Sequence, residues 1–399
     1  MKHTKLLHLG KISTFSFRRV RLPPKRVGNK TLALNALLEV FLYDLIQIDL
    51  WQIVDYNQFT PHGKPYLRKW IILYILRAFG AMFNHGVVLK RLRKIFEMKT
   101  SSSTKVVHIY QRTVGGYLLF YSVSDFLVFF TIFCVTARRF GIRVIGVCPM
   151  YDHLHVLVEC NDPVKMSRFV QTYSRLYAEE FNLAIGASGP VFYPRFGRAE
   201  REGMKEVRSA CSYLYNNPGE KGLCKKAEDY RWTFLAYAKS RHPFSVPIVL
   251  SASSTRLRRV LKMIDYYRSS DKYLRLGWLR SMFEGLKKAE KEQLVDYIIS
   301  SYNCVDYDRL ISFYGSYEQT CLAFASNQGK EFGLHEEFTP GDHTVYVKFA
   351  ALLRRYLGVE IIHDIFRLPK ERRKEMSLFC LRMTSTSRRQ TEKYFRVEW

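Results

Sequence analysis

Between residues 104 and 245 the apolar positions alternate between a period of two and a period near 3.6, which predicts strands interleaved with helices. Residues 106–112 and 116–122 are rich in β-branched and aromatic types and flank the turn residues Gly115 and Gly116, so they read as two strands. Ser124 and Asp125 then open a helix running to about Arg139. Residues 143–148 and 153–160 predict a hairpin around Pro149, Met150, Tyr151 and Asp152. Asp162 and Pro163 start a second helix, whose apolar stripe is Met166, Phe169, Val170, Tyr173, Tyr177 and Phe181. After a Gly/Pro-rich loop over 186–197, a third helix spans roughly residues 202–217. No long apolar run of the kind a parallel sheet needs is present. The expected fold class is therefore α+β, an antiparallel sheet with packed helices.

The flanks read differently. Residues 1–103 form a basic, partly helical N-terminal extension, helical in pattern over 31–56, with basic runs at Arg18, Arg19, Arg21, Lys25, Arg26 and over 90–94. The Ser/Thr run over 100–104 leads straight into the first strand, which makes Met98 a candidate for the true start. Residues 246–345 read as a helical region with no recognisable chemistry. Residues 346–399 carry three helical stretches. The last two, 370–382 and 387–396, have the outline of a helix-turn-helix DNA-binding tail, with Arg388, Arg389 and Gln390 at the start of the second helix.

Charge changes the picture more than composition does. The 63 Lys and Arg against 36 Asp and Glu leave a formal charge of +27, and residues 1–99 alone hold 18 basic and 5 acidic residues. Such an excess attracts polyanions, nucleic acid first among them. A membrane partner is not expected. No stretch reaches the roughly 18 uncharged apolar residues a span requires, and the most apolar window, 71–83, is cut by Arg77. The N-terminus has no apolar core with a small-residue cleavage site, so no secretory signal is indicated. Eight scattered cysteines without a Cys-x-x-Cys pair read as reduced thiols in a cytosol.

Candidate chemistry centres on residues 150–159, where His153 and His155 stand two apart at the head of an apolar run. On a strand such residues share a face at roughly 7 Å, and two neutral imidazoles make half a metal site. The third helix could supply the rest. Tyr213 and Asn217 are four apart and stack on one helical face, beside a buried stripe of Met204, Val207, Cys211 and Leu214. If that face meets the histidine strand, the site gains an amide oxygen as third ligand and a phenol beside the ion. Imidazole and oxygen donors without thiolate suit Mg2+ or Mn2+. Blander readings accompany each residue: Asn217 as a helix end before Pro218, Asp152 as a turn residue, Glu159 as a salt-bridged strand end, and Tyr215 as packing.

Residues 104–245 resemble the single-tyrosine HUH (His-hydrophobic-His) transposases of small insertion sequences, and most of all the branch associated with repetitive extragenic palindromes. The matching elements come in family order: Gln111-Arg112; Phe120-Tyr121-Ser122 followed by Asp125; the motif over 150–159; the helix from Met166 through Phe181-Asn182; Arg195-Phe196; residues 213–218 with Gly222; and Trp232-Thr233-Phe234 with Tyr237. The C-terminal tail is more loosely similar to the helix-turn-helix of longer members. The resemblance implies the ferredoxin-like HUH endonuclease fold, with His153, His155 and Asn217 as metal ligands and Tyr213 as nucleophile. The family usually has Pro-Asn before its first histidine, whereas this chain has Tyr151-Asp152, so a difference is expected in that loop.

By that resemblance the protein is a Mg2+- or Mn2+-dependent single-stranded DNA endonuclease and strand transferase, cutting near hairpins through a 5′-phosphotyrosine. It would work in the bacterial cytoplasm at the nucleoid, with a homodimer left open. Arg112, Arg168 and Arg195, with Arg388 and Arg389 in the tail, are candidate DNA contacts, as are Arg138, Arg139 and Arg198. Tyr110, Phe192 and Tyr193 are candidate base-stacking rings. Arg195 reads equally well as a structural ion-pair partner. The competing readings are a replication initiator or relaxase of the same chemistry, and a non-catalytic nucleic-acid binder stacking bases on strands such as His108-Ile109-Tyr110.

Overall fold

A computed structural model describes residues 105–326 and 342–398. The expectations for residues 1–103, including the helix over 31–56 and the start at Met98, lie outside the described residues, all of which fall in one compact unit. Four strands, β1 (Val106–Arg112), β2 (Arg143–Met150), β3 (His153–Glu159) and β4 (Gly197–Arg201), form one antiparallel sheet in the order β2-β3-β1-β4. Helix α1 (Val123–Arg139) connects β1 to β2, and α2 (Pro163–Ile185) connects β3 to β4. This β-α-β-β-α-β order is the ferredoxin-like arrangement. A third helix, α3 (Gly203–Glu220), follows β4.

Local signals explain where these helices begin. Ser122 and Asp125 form a capping box at the start of α1, each side chain binding the other's backbone N–H. Asp162 accepts from the backbone of Val164 and Lys165, Pro163 fills the first helical position of α2, and Gly186 ends the helix at φ 67°. The stripe Met166, Phe169, Val170, Tyr173, Tyr177 and Phe181 is buried.

The period of two sorts the sheet's side chains onto two faces. Val107, Ile109, Leu154, Val156 and Val158 join α1 and α2 in the main core. Val106, Cys148, Met150 and Leu157 join Val207, Ala210, Cys211 and Leu214 of α3 in a second core on the opposite side. On β1 and β3, His108, His153 and His155 lie in the second register, on the α3 face. That packing choice brings α3 over the histidines.

Two expectations are corrected. Residues 116–122 are not a strand. Val114–Gly116 is a 3-10 turn, with Gly115 and Gly116 at φ 70° and 68°, and Leu118, Leu119 and Phe120 run on as a fully buried connection. Both edges of β1 are already taken, by β3 on one side and β4 on the other, so no ladder is left for that segment. The fourth strand is β4, the stretch between the expected loop and the third helix, whose Lys105–Glu200 ion pair (2.6 Å) ties it to the start of β1. The third helix also runs past Asn217 and Pro218 to Glu220.

Helices α4 (Thr255–Ser269), α5 (Leu276–Phe283), α6 (Lys288–Tyr302), α7 (Tyr307–Ser312) and α8 (Tyr317–Ser326) follow. Packing of α5 and α6 on α1 encloses that helix on nearly every side. Beyond residue 342 come α9 (Thr344–Leu357), α10 (Lys370–Met383) and α11 (Arg388–Phe395). Tyr121 donates to the carbonyl of Tyr394 (3.1 Å) and Arg396 to that of Leu118 (3.2 Å), so α11 is seated against the sheet-bearing part of the chain.

Candidate active site

Strand alternation on β3 sends His153 and His155 to the same face, their ring centroids 4.9 Å apart and nearly perpendicular at 82°. Helix α3 crosses that face. The ring of Tyr213 lies edge-on to His155 with centroids 5.1 Å apart, and one turn further on the Asn217 amide Nδ2 donates to His155 Nε2 at 3.1 Å. The four residues the sequence singled out thus meet on one wall of a cleft of about 530 Å³, which Tyr110, Arg112, Lys221 and Arg389 also line. Tyr213 and Asn217 are 4% and 1% exposed. Tyr215, by contrast, is fully buried against Phe324, its hydroxyl on the carbonyl of Ile145.

Behind each histidine stands a second polar group. Asp152 Oδ1 accepts from His153 Nδ1 at 2.7 Å, and Asp152 Oδ2 accepts from Lys393 of α11 at 3.1 Å. His343, just before α9, has its Nε2 3.8 Å from Asp152 Oδ1. Burial opposes ionisation of Asp152, but the hydrogen bond and charge of His153, with His343 and Lys393, hold its carboxyl well below the usual range. So Asp152 sits in the turn, as expected, yet does more than turn the chain: it is the hub of an ionic cluster joining the tail to the histidine motif. On the other side, His108 Nε2 lies 3.1 Å from His155 Nδ1. Burial, aided by Arg201, lowers the His108 pKa to about 3; burial, with the charge of His153 next, holds His155 well below its ordinary value. Both rings are neutral at pH 7, the form a metal ligand needs.

The donors can be tested against a cation. Among the described residues no group of three His, Cys, Asp or Glu is arranged to hold a metal, so any third donor must come from another residue type. The Asn217 Oδ1 meets that description: it is buried and has no hydrogen-bond partner, while its amide nitrogen lies 3.1 Å from His155 Nε2. The amide nitrogen and oxygen are interchangeable by a flip. Rotating it would turn Oδ1 toward His155 Nε2, where either the Nε2–H tautomer or a cation between the two atoms satisfies both. With His153 held through Nδ1 by Asp152, the residues present fit a hard divalent ion.

The basic candidates separate. Arg112 is exposed at the cleft edge, opposite His153 in the β1–β3 register, and Arg389 lines the same cleft. Arg388 lies beside it on α11, ion-paired with Glu392. Arg168 and Arg195 are exposed but do not line the cleft. Arg138 and Arg139 are engaged elsewhere, with the carbonyl of Tyr302 and with Asp271. Of the stacking candidates, Tyr110 and Tyr193 line the cleft, whereas Phe192 is buried at 6% exposure in the main core. Glu159 is a strand-end ion-pair residue, held by Arg143 and Arg309. Lys221, 5% exposed, was not anticipated, although its spacing four residues after Asn217 continues the Tyr213–Asn217 face. His108, His343 and Lys393 were likewise missed as site neighbours. Only the single-residue alternation of β1 hinted at the first.

No curated protein matches the chain. A solved structure of a REP-associated tyrosine transposase bound to a REP hairpin is 12% identical, covers 38% of this chain and 88% of its own, and superposes with a TM-score of 0.30. The family model "Transposase IS200 like" matches residues 123–214, a span that opens on α1, contains the paired histidines and closes just after Tyr213. Over that span the chain is similar to the IS200-like transposases.

Proposed function

We propose that the protein is a metal-dependent single-stranded DNA endonuclease and strand transferase that cuts beside hairpins through a 5′-phosphotyrosine on Tyr213. The observation that carries this reading is the convergence of Tyr213 and Asn217 with His153 and His155 in one cleft with a basic rim. Mg2+ or Mn2+, held by His153, His155 and the Asn217 oxygen, would draw charge from the scissile phosphate and orient it. The Tyr213 oxygen would attack phosphorus while the bond from phosphorus to the 3′-oxygen breaks. The phenol gives up its proton and the departing 3′-oxygen gains one. One phosphoester replaces another, so a different 3′-hydroxyl can attack the phosphotyrosine and rejoin DNA without an energy source. Arg112, Lys221 and Arg389 are placed to hold the backbone, and Tyr110 and Tyr193 to stack unpaired bases.

The test is incubation of the full chain with single-stranded DNA carrying a hairpin beside the target, with Mn2+. A covalent protein–DNA adduct should form, vanish with a chelator, and vanish in Tyr213→Phe. Tight binding by the wild type without any adduct would refute the enzymatic reading and leave a nucleic-acid binder.

A further inference from the structure

We propose that His108, on β1, is a positioning residue: it holds His155 in the tautomer and orientation in which Nε2 offers its lone pair to the ion. This rests on the metal reading above and assigns a task that reading leaves open.

A neutral imidazole carries one N–H, and which nitrogen bears it is set by the partners of both. To bind a cation His155 Nε2 must hold the lone pair and Nδ1 the proton, the tautomer that also accepts the Asn217 amide Nδ2 at 3.1 Å. Nδ1 faces His108 Nε2 at 3.1 Å, and the two rings lie nearly parallel, 25° apart with centroids at 5.3 Å. In that ligand-competent tautomer His155 donates and His108 accepts. Histidines that bind metals generally hand their second N–H to a carboxylate, carbonyl or water. His153 follows that rule through Asp152, whereas His155 is held by another imidazole from a different strand.

Accepting at Nε2 puts the one proton of His108 on Nδ1, and that atom is buried without a hydrogen-bond partner. A phenylalanine would fill the same space without stranding a donor. The stranded atom is thus what a residue kept for its Nε2 acceptor would show, and not what packing alone would select. With no exposed surface His108 cannot touch DNA, which separates it from the catalytic residues. Its ring also meets Tyr213 edge-on, centroids 5.9 Å apart, so it borders both the ligand and the nucleophile.

The experiment measures Mn2+ affinity of the full chain without DNA, from the signal of free Mn2+ in electron paramagnetic resonance, with thermal unfolding as a check on folding. His108→Phe should weaken Mn2+ binding about 10- to 100-fold while unfolding no earlier than the wild type. His108→Gln, whose amide oxygen reaches the Nε2 position, should restore affinity to within about threefold of the wild type. His108→Asn, whose oxygen falls short, should not. Wild-type affinity in His108→Phe would overturn the assignment while leaving the metal site standing. Equal binding by wild type and His155→Ala, or none by either, would overturn the metal reading and this inference with it. Should His108→Phe fold poorly, the Gln and Asn variants decide the matter: equal affinities in those two would refute a role for the acceptor.

Discussion

Asp152 and Lys393 are 241 residues apart in sequence, yet their side chains lie 3.1 Å from one another with only 11% and 16% of their surfaces exposed. Replacing Asp152 with Asn keeps the shape of the residue and removes its charge. Two charge-assisted hydrogen bonds weaken, to His153 and to Lys393, and the Lys393 ammonium is left in a site that admits little water. A hydrogen bond to a charged group contributes about 1.5–3 kcal/mol, and stranding one partner of a buried pair costs about 3–5 kcal/mol. The retained amide and the residual exposure of Lys393 place the expected loss at about 2–4 kcal/mol. In a unit of this size that corresponds to a fall in Tm of roughly 4–8 °C. Because both residues stabilise through one contact, Lys393→Met and the double variant complete a cycle whose coupling should be at least about 1 kcal/mol. Thermal unfolding of the four proteins, with proteolysis of the C-terminal helices as a second probe, gives the answer. Additive losses, or an Asp152→Asn protein as stable as the wild type, would mean that α11 is not latched to the histidine motif, and the tail would then be an independent module.

Other consequences can be checked as directly. A Cβ at Gly197 would fall 1.8 Å from the Tyr110 ring, so Gly197→Val should expel that ring from its place over β4 and weaken single-stranded DNA binding; unchanged affinity would show that Tyr110 stacks no base. Removing the capping box with Ser122→Ala should cost about 1 kcal/mol, read as a small drop in Tm, and no drop would count against the cap. Burial lowers His343 to about 4, against the pull of Asp152, while the unfolded chain protonates near 6.5. The unfolded state therefore binds more protons in that window, and stability falls as pH drops from 6.5 toward 4, at up to about 1.4 kcal/mol per pH unit for this residue. Denaturant unfolding across that range should show the fall and a shallower slope in His343→Gln. An identical slope would mean that His343 is charged in the native protein.

Much of the domain could be read from neighbouring residues. The limits of β1, the opening of α1 near Asp125 (with Ser122 as its cap, one residue before the helix), the Asp162-Pro163 start of α2 and the hairpin at Asp152 all depend on signals within a few positions of each other. The segment 116–122 misled because apolar β-formers make a buried connection as readily as a strand. Strand β4 was hidden because its sequence, Gly-Arg-Ala-Glu-Arg, is that of an edge strand whose outer positions face solvent.

The chemistry divides along the same line. His-x-His on a strand and Tyr213–Asn217 on a helix are periodicities, and a periodicity says which side chains share a face without saying what that face meets. Helix α3 covers the His153–His155 face because Val207, Cys211 and Leu214 bury themselves against Cys148, Met150 and Leu157, a choice made by packing. The groups behind the two rings, His108 against His155 and Lys393 and His343 against Asp152, arrive from distant parts of the chain through pairing register and docking. Spacing along a chain sets local geometry, whereas contacts between remote segments exist only once the core has closed around them.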